Sequence, residues 1–467
     1  MTSVPDSEFS RFAQDSASSV DNRFEVTLSS LIELSKVPGI AWEAFDSSNL
    51  DTSAQMVADL FRNLNIFDFV EVRRSAVDGK PGAPAVIARR AAKNGKPQVL
   101  LYAHHDVQPP GNIDDWKTKP FEPVRTEDRI FGRGVADDKA GIVAHLAALQ
   151  ALVDSKGKDF DLGISLFIEG EEEAGSPTFR NFLEENQADL AADVIIVADS
   201  GNWTTEIPAL TTTLRGLVSV VVQVKTLDHA VHSGMYGGAV PDAMLATIKL
   251  LASLHDDQGE VAVAGLKSAQ TDELAYSENS LRQDSGLLPN TQTIGSGGIL
   301  QRIWGKPAIT VIGIDGQPVA LSSNTLLPSV RAKISMRIAP GQDPAEALNL
   351  LKAHLLGHTP FGAELSFGEV ELGKPFDMDD SGWAAQLVKK SLAHGWSAAP
   401  VNIGIGGSIP FIADLTEVFP SAQILVTGVE DPDSRAHSPN ESVHIESLRK
   451  AMVSEAIFLL AGNELQL

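Results

Sequence analysis

Five short segments of the sequence carry histidine and carboxylate side chains where a predicted strand gives way to a loop. They are residues 103–107, 134–139, 171–173, 197–200 and 435–439. In an open α/β sheet the crevice lies at the carboxyl ends of the strands, so side chains at those ends converge even when they are far apart in sequence. Because the chain has no cysteine, a metal ion has to be held by histidine and carboxylate ligands. The five segments together predict a hydrolytic site with two metal ions.

Each segment has an ordinary alternative explanation when it is taken alone. An Asp before a helix is most often an N-cap, three adjacent carboxylates at 171–173 are typical of a solvated acidic loop, and His437 lies in a loop rich in Pro, Ser and Asp. The run 171–173, however, follows a strand rich in Leu, Ile and Phe, where uncompensated charge is costly. Coincidence at five strand ends is a poor explanation, and a pair of metal ions would neutralise the carboxylates.

Two pairs of nearby residues suggest which side chains bind metal and which have a supporting role. His104 and Asp106 are two residues apart in an extended segment and therefore point to the same side. One of them can ligate a metal while the other holds the imidazole in place, as carboxylates commonly do behind metal-bound histidines. Asp137 and Asp138 precede a predicted helix, which allows one of them to cap the helix and the other to be a ligand.

Composition excludes several classes of partner. The chain has 37 Lys+Arg against 61 Asp+Glu, and its formal net charge of -24 repels nucleic acid and anionic lipid surfaces. Residues 1–22 are polar and acidic, without the basic start and apolar core of a signal peptide. No apolar run approaches the length of a membrane-spanning helix. We therefore expect a cytoplasmic protein with no nucleic-acid or membrane partner.

The periodicity of the chain predicts two domains, one inserted into the other. Predicted strands at 98–103, 162–168 and 193–198 alternate with helices at 139–153 and 176–185, which is the order of a mostly parallel sheet covered by helices. From Leu214 the order changes to strand, helix, two strands, helix and strand, as in a small α+β sandwich. The α/β pattern resumes after Pro375. We expect a discontinuous catalytic domain of residues 1–213 and 376–467 and an inserted domain of residues 214–375.

Four longer segments, residues 102–109, 132–139, 169–176 and 436–441, closely resemble the M20 metallopeptidase family and, within it, the carnosinase-like cytosolic dipeptidases. The resemblance extends from about Leu31 to the last helix. It implies an α/β catalytic domain with a mostly parallel sheet and an inserted lid domain through which two chains form a homodimer. It also implies a metal-dependent dipeptidase that hydrolyses small unblocked dipeptides.

The resemblance assigns a role to each candidate residue of the metal site. One metal ion is bound by His104 and Asp199, the other by His437 and Glu173, and Asp137 bridges both. Asp106 orients His104, and Glu172 is the general base and acid. Two divalent ions about 3.5–4 Å apart hold a bridging water and lower its pKa toward about 7, so that hydroxide is available at neutral pH. Ligands of this kind favour zinc, with manganese or cobalt as alternatives.

Candidates for substrate binding rest on single motifs. Gly406, Gly407 and Ser408 form a Gly-rich turn whose backbone N–H groups can bind a carboxylate, although the same residues fit a simple loop. By the resemblance this turn and Arg337 meet the carboxylate of the peptide, Asn324 is a further contact, and His232 reaches across the dimer to polarise the scissile carbonyl. Ile405 stands where the relatives commonly carry an acidic residue.

Other classes of enzyme lack support in the sequence. There is no Gly-x-Ser-x-Gly elbow of a serine hydrolase and no His-Glu-x-x-His motif of a single-zinc protease. A binding protein that had lost its activity would lack metal ligands or the base, and all six of these candidates are present. The remaining alternative is an N-acyl-amino-acid deacylase, because the same metal pair cleaves any amide beside a carboxylate.

Overall fold

The computed structural model describes residues 4–407 and 410–466. The α-helices in this part of the chain are α1 Asp6–Ser35, α2 Ser48–Arg62, α3 Lys139–Lys156, α4 Phe179–Glu185, α5 Gln187–Leu190, α6 Ser233–Tyr236, α7 Ala243–Ala252, α8 Glu278–Ser285, α9 Pro344–Gly357, α10 Trp383–Trp396, α11 Pro410–Val418 and α12 Ile445–Glu464. The strands of the first half are β1 Phe69–Arg73, β2 Ala76–Val77, β3 Lys80–Pro81, β4 Ala85–Arg90, β5 Gln98–His104, β6 Val124–Arg125, β7 Arg129–Phe131, β8 Gly163–Glu169, β9 Val194–Val197 and β10 Ala209–Leu214. Those of the second half are β11 Gly216–Lys225, β12 Val231–His232, β13 Ala308–Ile314, β14 Thr325–Leu326, β15 Ser329–Ile338, β16 Glu364–Gly373, β17 Phe376–Asp377, β18 Val401–Ile405, β19 Gln423–Val426 and β20 Ser442–His444.

The chain divides into two compact units. Unit 1 consists of Met1–Thr212, Met378–Ile403 and Asp414–Leu467, and unit 2 consists of Thr213–Asp377 and Gly404–Ala413. The sequence predicts the boundaries at 213/214 and 375/376, with the whole of 376–467 in the first domain. The segment Gly404–Ala413 differs from that expectation because the Arg215 N–H donates to the Ile405 carbonyl and the Arg215 guanidinium to the Gly406 carbonyl.

Most strands of a nine-stranded sheet belong to unit 1. Its order is β1-β4-β8-β5-β9-β19-β10-β17, with β18 on β10. The pairs β5/β8, β5/β9 and β9/β19 are parallel, whereas the pairs at both edges are antiparallel. Every residue of β5, β8 and β9 is buried, as expected for parallel strands whose two faces are both covered. The α/β class predicted from the alternating pattern is confirmed.

The helices that cover this sheet pack around α3. Most of α3 is buried, because its sequence is rich in Ala, Leu and Val and leaves no continuous polar face. The helix begins at the side chain of Asp138, which accepts a hydrogen bond from the Gly141 N–H, and ends at Gly157, whose φ of 74° few other residues adopt. Helices α1 and α12 lie against α3, and α10 lies against α1 and α12. The capped start of α3 is thereby fixed beneath the carboxyl ends of the strands.

Unit 2 contains a four-stranded antiparallel sheet in the order β13-β15-β11-β16. Alternate residues of β11 (Val218, Val220, Val222 and Val224) are buried against α7 and α9, which is the period of two that a sheet with one covered face requires. The predicted order of strand, helix, two strands, helix and strand is present as β11, α7, β13, β15, α9 and β16. The Gly- and Ser-rich stretch 258–298 contains one helix that the sequence did not predict, α8.

Local differences from the sequence prediction have simple causes. The helix predicted at 176–185 begins only at Phe179, since Gly175 and Ser176 both have positive φ angles (84° and 52°) and interrupt the helical geometry.

Within residues 4–407 and 410–466, no helix combines the length and apolar character needed to cross a membrane.

Candidate metal centre

The carboxyl ends of four neighbouring parallel strands carry the side chains of the candidate site. In the order β8-β5-β9-β19, β8 leads into the turn with Glu172 and Glu173, β5 ends at His104, β9 leads to Asp199, and β19 leads into the loop with His437. All of these residues belong to unit 1. The strand ends therefore converge as the sequence predicts.

Asp137 lies at the centre of the group. Its Oδ1 is 3.0 Å from His104 Nε2, and its Oδ2 is 3.0 Å from His437 Nε2. Glu173 Oε2 lies 3.2 Å from the same nitrogen of His437, and Asp199 Oδ1 lies 4.0 Å from His104 Nε2. The five predicted ligands are thus in one cluster, and the two carboxylate oxygens of Asp137 face two different histidines. This is the arrangement that a carboxylate bridging two metal ions needs.

Asp106 contacts both His104, a predicted ligand, and the turn after β8. Its Oδ1 is 3.3 Å from His104 Nδ1, the ring nitrogen that does not face Asp137. The same carboxylate accepts hydrogen bonds from the backbone N–H groups of Glu172 and Glu173, each at 3.1 Å. One buried side chain therefore fixes the orientation of the His104 ring and the position of the turn after β8.

The electrostatics of the cluster fit a site for cations. Burial alone disfavours a charged His104, yet hydrogen bonds to Asp106 and Asp137 raise the pKa of His104 well above its usual value. Hydrogen bonds to Asp137 and Glu173 raise the pKa of His437 to about 11. Burial and the charges of Asp137 and Glu173 raise the pKa of Asp199 to about 7. The protons on the two histidines thus supply positive charge between the carboxylates, where metal ions would otherwise supply it. The imidazole nitrogens and carboxylate oxygens are donors that suit divalent metal ions.

Glu172 differs from Glu173 in that its carboxylate has no hydrogen bond or ion pair with a described residue. Glu173 receives hydrogen bonds from Gln108 and faces His437, whereas no described residue donates a hydrogen bond to the side chain of Glu172. Burial, followed by the charge of Asp199, raises the pKa of Glu172 well above its usual value. A carboxylate that is held beside the ligands and is ready to accept a proton is suited to general acid–base chemistry.

Glu441 supports the centre, although the sequence predicts no role for it. Its buried carboxylate accepts hydrogen bonds from Arg133 Nη1 at 2.7 Å and from the backbone N–H groups of Gly134, Ala136 and Asp137 at 3.0, 3.0 and 3.2 Å. It thereby fixes the backbone that presents Asp137 to the two histidines. The only signal for it in the sequence is its place in the segment 436–441.

The candidates on the inserted part of the chain form a separate group within unit 2. His232 pairs with Thr325 across β12 and β14, and the Asn324 carbonyl accepts a hydrogen bond from the Ser233 N–H at 2.9 Å. His232 and Asn324 are both exposed, and His232 Nδ1 accepts a hydrogen bond from the Gly234 N–H at 3.0 Å. The structure therefore brings these two residues together at one short β-ladder.

Gly406 and Arg337 lie near a second arginine, Arg215, which the sequence does not predict as a site residue. Arg215 Nε donates to the Gly406 carbonyl at 3.0 Å, and its Nη1 donates to the Lys306 carbonyl at 3.3 Å. Burial and the positive charge of Arg337 lower the pKa of Arg215 to about 10. A Cβ on Gly406 would lie 2.9 Å from Arg215 Nη2 and 3.1 Å from the Ile303 carbonyl oxygen, so a larger residue there would displace the Arg215 guanidinium. Gly407 follows in the same turn, and Ser408 lies outside the described residues.

Comparison with known proteins agrees with this centre. The model of peptidase family M20/M25/M40 matches residues 100–460. A cysteinylglycine-S-conjugate dipeptidase of Corynebacterium striatum is 33% identical over 383 residues, covering 81% of this chain and 84% of the relative. A Beta-Ala-His dipeptidase of Rattus norvegicus is 26% identical over 415 residues, with 83% and 82% covered.

The fold is also that of solved structures. The crystal structure of human carnosine dipeptidase 1 superimposes with a TM-score of 0.74 at 22% sequence identity, covering 97% of this chain and 99% of the other. At that identity the likeness concerns the fold. The family model, however, spans most of the chain and all five of the clustered ligands. The chain therefore belongs to peptidase family M20/M25/M40.

Proposed function

We propose that the protein is a metal-dependent dipeptidase that hydrolyses the amide bond of small unblocked dipeptides. The observation that carries the proposal is the position of Asp137, whose two oxygens each lie 3.0 Å from a different histidine. Relatives named as dipeptidases align with more than four fifths of the chain, which supports dipeptides as the substrate class.

Two divalent metal ions fit the donor set of the centre. His104 and Asp199 would hold one ion, His437 and Glu173 the other, with Asp137 shared between them. Zinc suits nitrogen and oxygen ligands of this kind best, and manganese or cobalt are the alternatives. When bound, such a pair supplies a water of lowered pKa, near about 7, at neutral pH.

Glu172 would move the proton. Its carboxylate takes a proton from the attacking water and delivers it to the leaving amine, a task that requires a carboxylate beside the ligands but bound to neither metal. Asp106 supports this role, because its two oxygens hold the N–H groups of Glu172 and Glu173. Of the two adjacent glutamates in the turn after β8, Glu172 would therefore transfer the proton and Glu173 would bind metal.

Unit 2 would supply the contacts to the substrate and to a second chain. Arg337, Gly406, Gly407 and Ser408 would bind the carboxylate of the peptide, and Asn324 and His232 would reach a substrate through a homodimer. Large apolar side chains that unit 2 exposes support association of two copies: Met235, Leu245, Ile248, Val319 and Leu321. Because the net charge is -24, we propose no nucleic-acid or membrane partner. We also propose a cytoplasmic location.

The test is a substrate panel on the purified protein. Unblocked dipeptides such as Ala-Gly are compared with N-acetyl amino acids before and after treatment with a chelator, with metal content measured in parallel. We expect hydrolysis of the dipeptides, loss of activity with the metal, and recovery on addition of zinc or manganese. Full activity of a preparation shown to be free of metal would refute the two-metal proposal. Cleavage of N-acetyl amino acids alone would identify a deacylase instead.

A further inference from the structure

His437 is the most exposed of the five predicted metal ligands. Its side chain is 59% exposed. None of the others is more than 18% exposed: His104, Asp137, Glu173 and Asp199. Side-chain packing therefore contributes little to the position of His437, which lies in the loop 435–441 before β20. The backbone of this loop has to determine where the imidazole lies.

The loop that carries His437 has an unfavourable backbone conformation. The φ angles of Arg435, His437 and Asn440 are 57°, 62° and 67°, in the left-handed region that residues other than glycine rarely adopt. Such conformations persist where contacts with the surrounding structure stabilise them. The loop therefore needs contacts at its ends to keep His437 Nε2 at 3.0 Å from Asp137 Oδ2.

Arg129 of β7 contacts both ends of this loop. Before the loop, its Nη1 and Nη2 donate to Asp431 Oδ1 and Oδ2 at 3.2 and 2.9 Å. After the loop, its Nε donates to the Ser442 hydroxyl at 2.8 Å and its Nη2 donates to the Ser442 carbonyl at 3.2 Å. The Asp431 side chain is buried, and most of the Arg129 side chain is buried with it. Because a guanidinium presents its donors in a rigid fork, one side chain joins the two ends.

Asp431 in turn stabilises Ser434, the residue directly before the loop. The Ser434 hydroxyl accepts a hydrogen bond from the Asp431 N–H at 2.9 Å, and the Ser434 N–H donates to the Asp431 carbonyl at 2.9 Å. The Ser434 carbonyl accepts a hydrogen bond from the Ser442 N–H, also at 2.9 Å, and this bond closes the loop at its base. Arg129 thus stabilises the closed loop from outside, and it is not itself a proposed metal ligand.

We propose that Arg129 is a positioning residue for His437 and thereby sets the affinity of the centre for one of its two metal ions. This inference rests on the proposed function, in which His437 and Glu173 bind that ion. Groups that orient a metal ligand commonly change the metal affinity about 10- to 100-fold. Without the Arg129 contacts the ends of the loop can separate, and His437 lies less often where the ion needs it.

The other metal ion should not depend on Arg129. Its proposed ligands, His104 and Asp199, lie at the ends of the buried strands β5 and β9. Among the described residues, no hydrogen bond or ion pair joins Arg129 to either strand. Loss of the Arg129 contacts should therefore weaken the binding of one ion, whereas a general loss of stability would weaken the binding of both.

The experiment titrates Mn²⁺ alone into the chelated protein and measures bound metal by equilibrium dialysis. Four proteins are compared: the wild type, Arg129→Gln, His437→Ala and the double variant with both changes. Arg125→Gln is the matched control, because Arg125 lies on the paired strand β6 and its exposed side chain forms an ion pair with Glu25.

We expect the wild type and Arg125→Gln to bind two ions with the same affinities. In Arg129→Gln one dissociation constant should rise about 10- to 100-fold, and the other should change less than about threefold. The ion that remains in His437→Ala should be bound equally well in the double variant, because Arg129 then has no ligand to position.

Three results would overturn the inference: unchanged constants in Arg129→Gln, an equal loss for both ions, or a further loss when Arg129→Gln is added to His437→Ala. If Arg129→Gln does not fold, Arg129→Lys takes its place. Lysine keeps the charge but not the fork of donors, so the same single constant should rise by a smaller factor, and wild-type constants would overturn the inference there as well.

The wild type separates this inference from the proposed function. A wild type that binds fewer than two ions refutes the two-metal centre, and the role of Arg129 with it. A wild type that binds two ions, together with a folded Arg129→Gln that binds both equally well, refutes the role of Arg129 alone.

Discussion

Replacing Glu441 with Gln should weaken both the fold and the metal centre. The carboxylate of Glu441 faces four donors, two on each oxygen: Arg133 Nη1 and the Gly134 N–H on Oε2, and the Ala136 and Asp137 N–H groups on Oε1. A Gln side chain of the same shape keeps one oxygen and points an NH2 group at the other two donors. Two hydrogen bonds are therefore lost, and the guanidinium of Arg133 stays buried without a counter-ion.

The expected loss of stability follows from these hydrogen bonds and from the ion pair with Arg133. Hydrogen bonds to charged groups are worth about 1.5–3 kcal/mol each, and breaking a buried ion pair from one side costs about 3–5 kcal/mol. Since Arg133 and Glu441 are only 2% and 0% exposed, little solvent screening reduces the effect. We expect Glu441→Gln to lower the free energy of unfolding by about 3–5 kcal/mol. Metal affinity should also fall, because the N–H of Asp137 loses its acceptor.

Urea denaturation of the chelated protein measures the first effect without a contribution from bound metal, and metal titration measures the second. Glu446→Gln is the control, because Glu446 is half exposed and, among the described residues, its ion pair is with Arg449 alone, so its loss should stay below about 1 kcal/mol. The double variant Arg133→Met with Glu441→Gln should lose less than the two single changes added together. A loss below about 1 kcal/mol for Glu441→Gln would show that the four contacts do not hold the Asp137 backbone.

Three further predictions concern the proton carrier, the inserted unit and the core. Glu172→Gln should reduce turnover by about 10²–10⁴-fold with metal content unchanged, whereas Asp137→Ala should lose metal; near-normal turnover of the first variant would show that Glu172 is not the base. Mixing inactive His232→Ala with inactive Glu172→Gln should restore up to about half of the wild-type activity per heterodimer if His232 serves its partner's site, and silence in a heterodimer verified by mass would exclude that role. Buried His145 contacts a Glu455 oxygen at 2.7 Å and the Tyr102 carbonyl at 3.0 Å; burial opposes its charge, but Glu455 raises the pKa of His145 above 6.5. The charged His145 therefore stabilises the fold fully below about pH 6.5, and this contribution is lost as pH rises through the raised pKa. The difference in unfolding free energy between wild type and His145→Gln should shrink over that range. A difference that grows would contradict a charged His145.

The sequence predicted those parts of the site that depend on strand ends. His104, Asp137 and Glu173 each follow an apolar strand or precede an Ala-rich helix, and the parallel order of the strands brings them together. Glu441 and Arg215 were missed for a different reason. Both act through backbone groups of residues far away in sequence, and neither a hydrophobic period nor a residue type reveals such a contact. The place of Gly404–Ala413 in unit 2 was missed likewise, since it depends on hydrogen bonds to Arg215.

The packing of α1 against α12 sets the order in which the units can form during synthesis. The two helices are separated by residues 36–444, and Arg449 of α12 donates to both carboxylate oxygens of Asp21 on α1, at 2.6 and 2.8 Å. Until α12 leaves the ribosome, the apolar face of α1 with Phe9 and Leu28 has only part of its final cover. The core of unit 2 lies almost wholly within Thr213–Asp377 and meets no such delay. The inserted unit can therefore fold on the nascent chain before the unit that it interrupts, whose first helix stays partly uncovered until α12 has been synthesised.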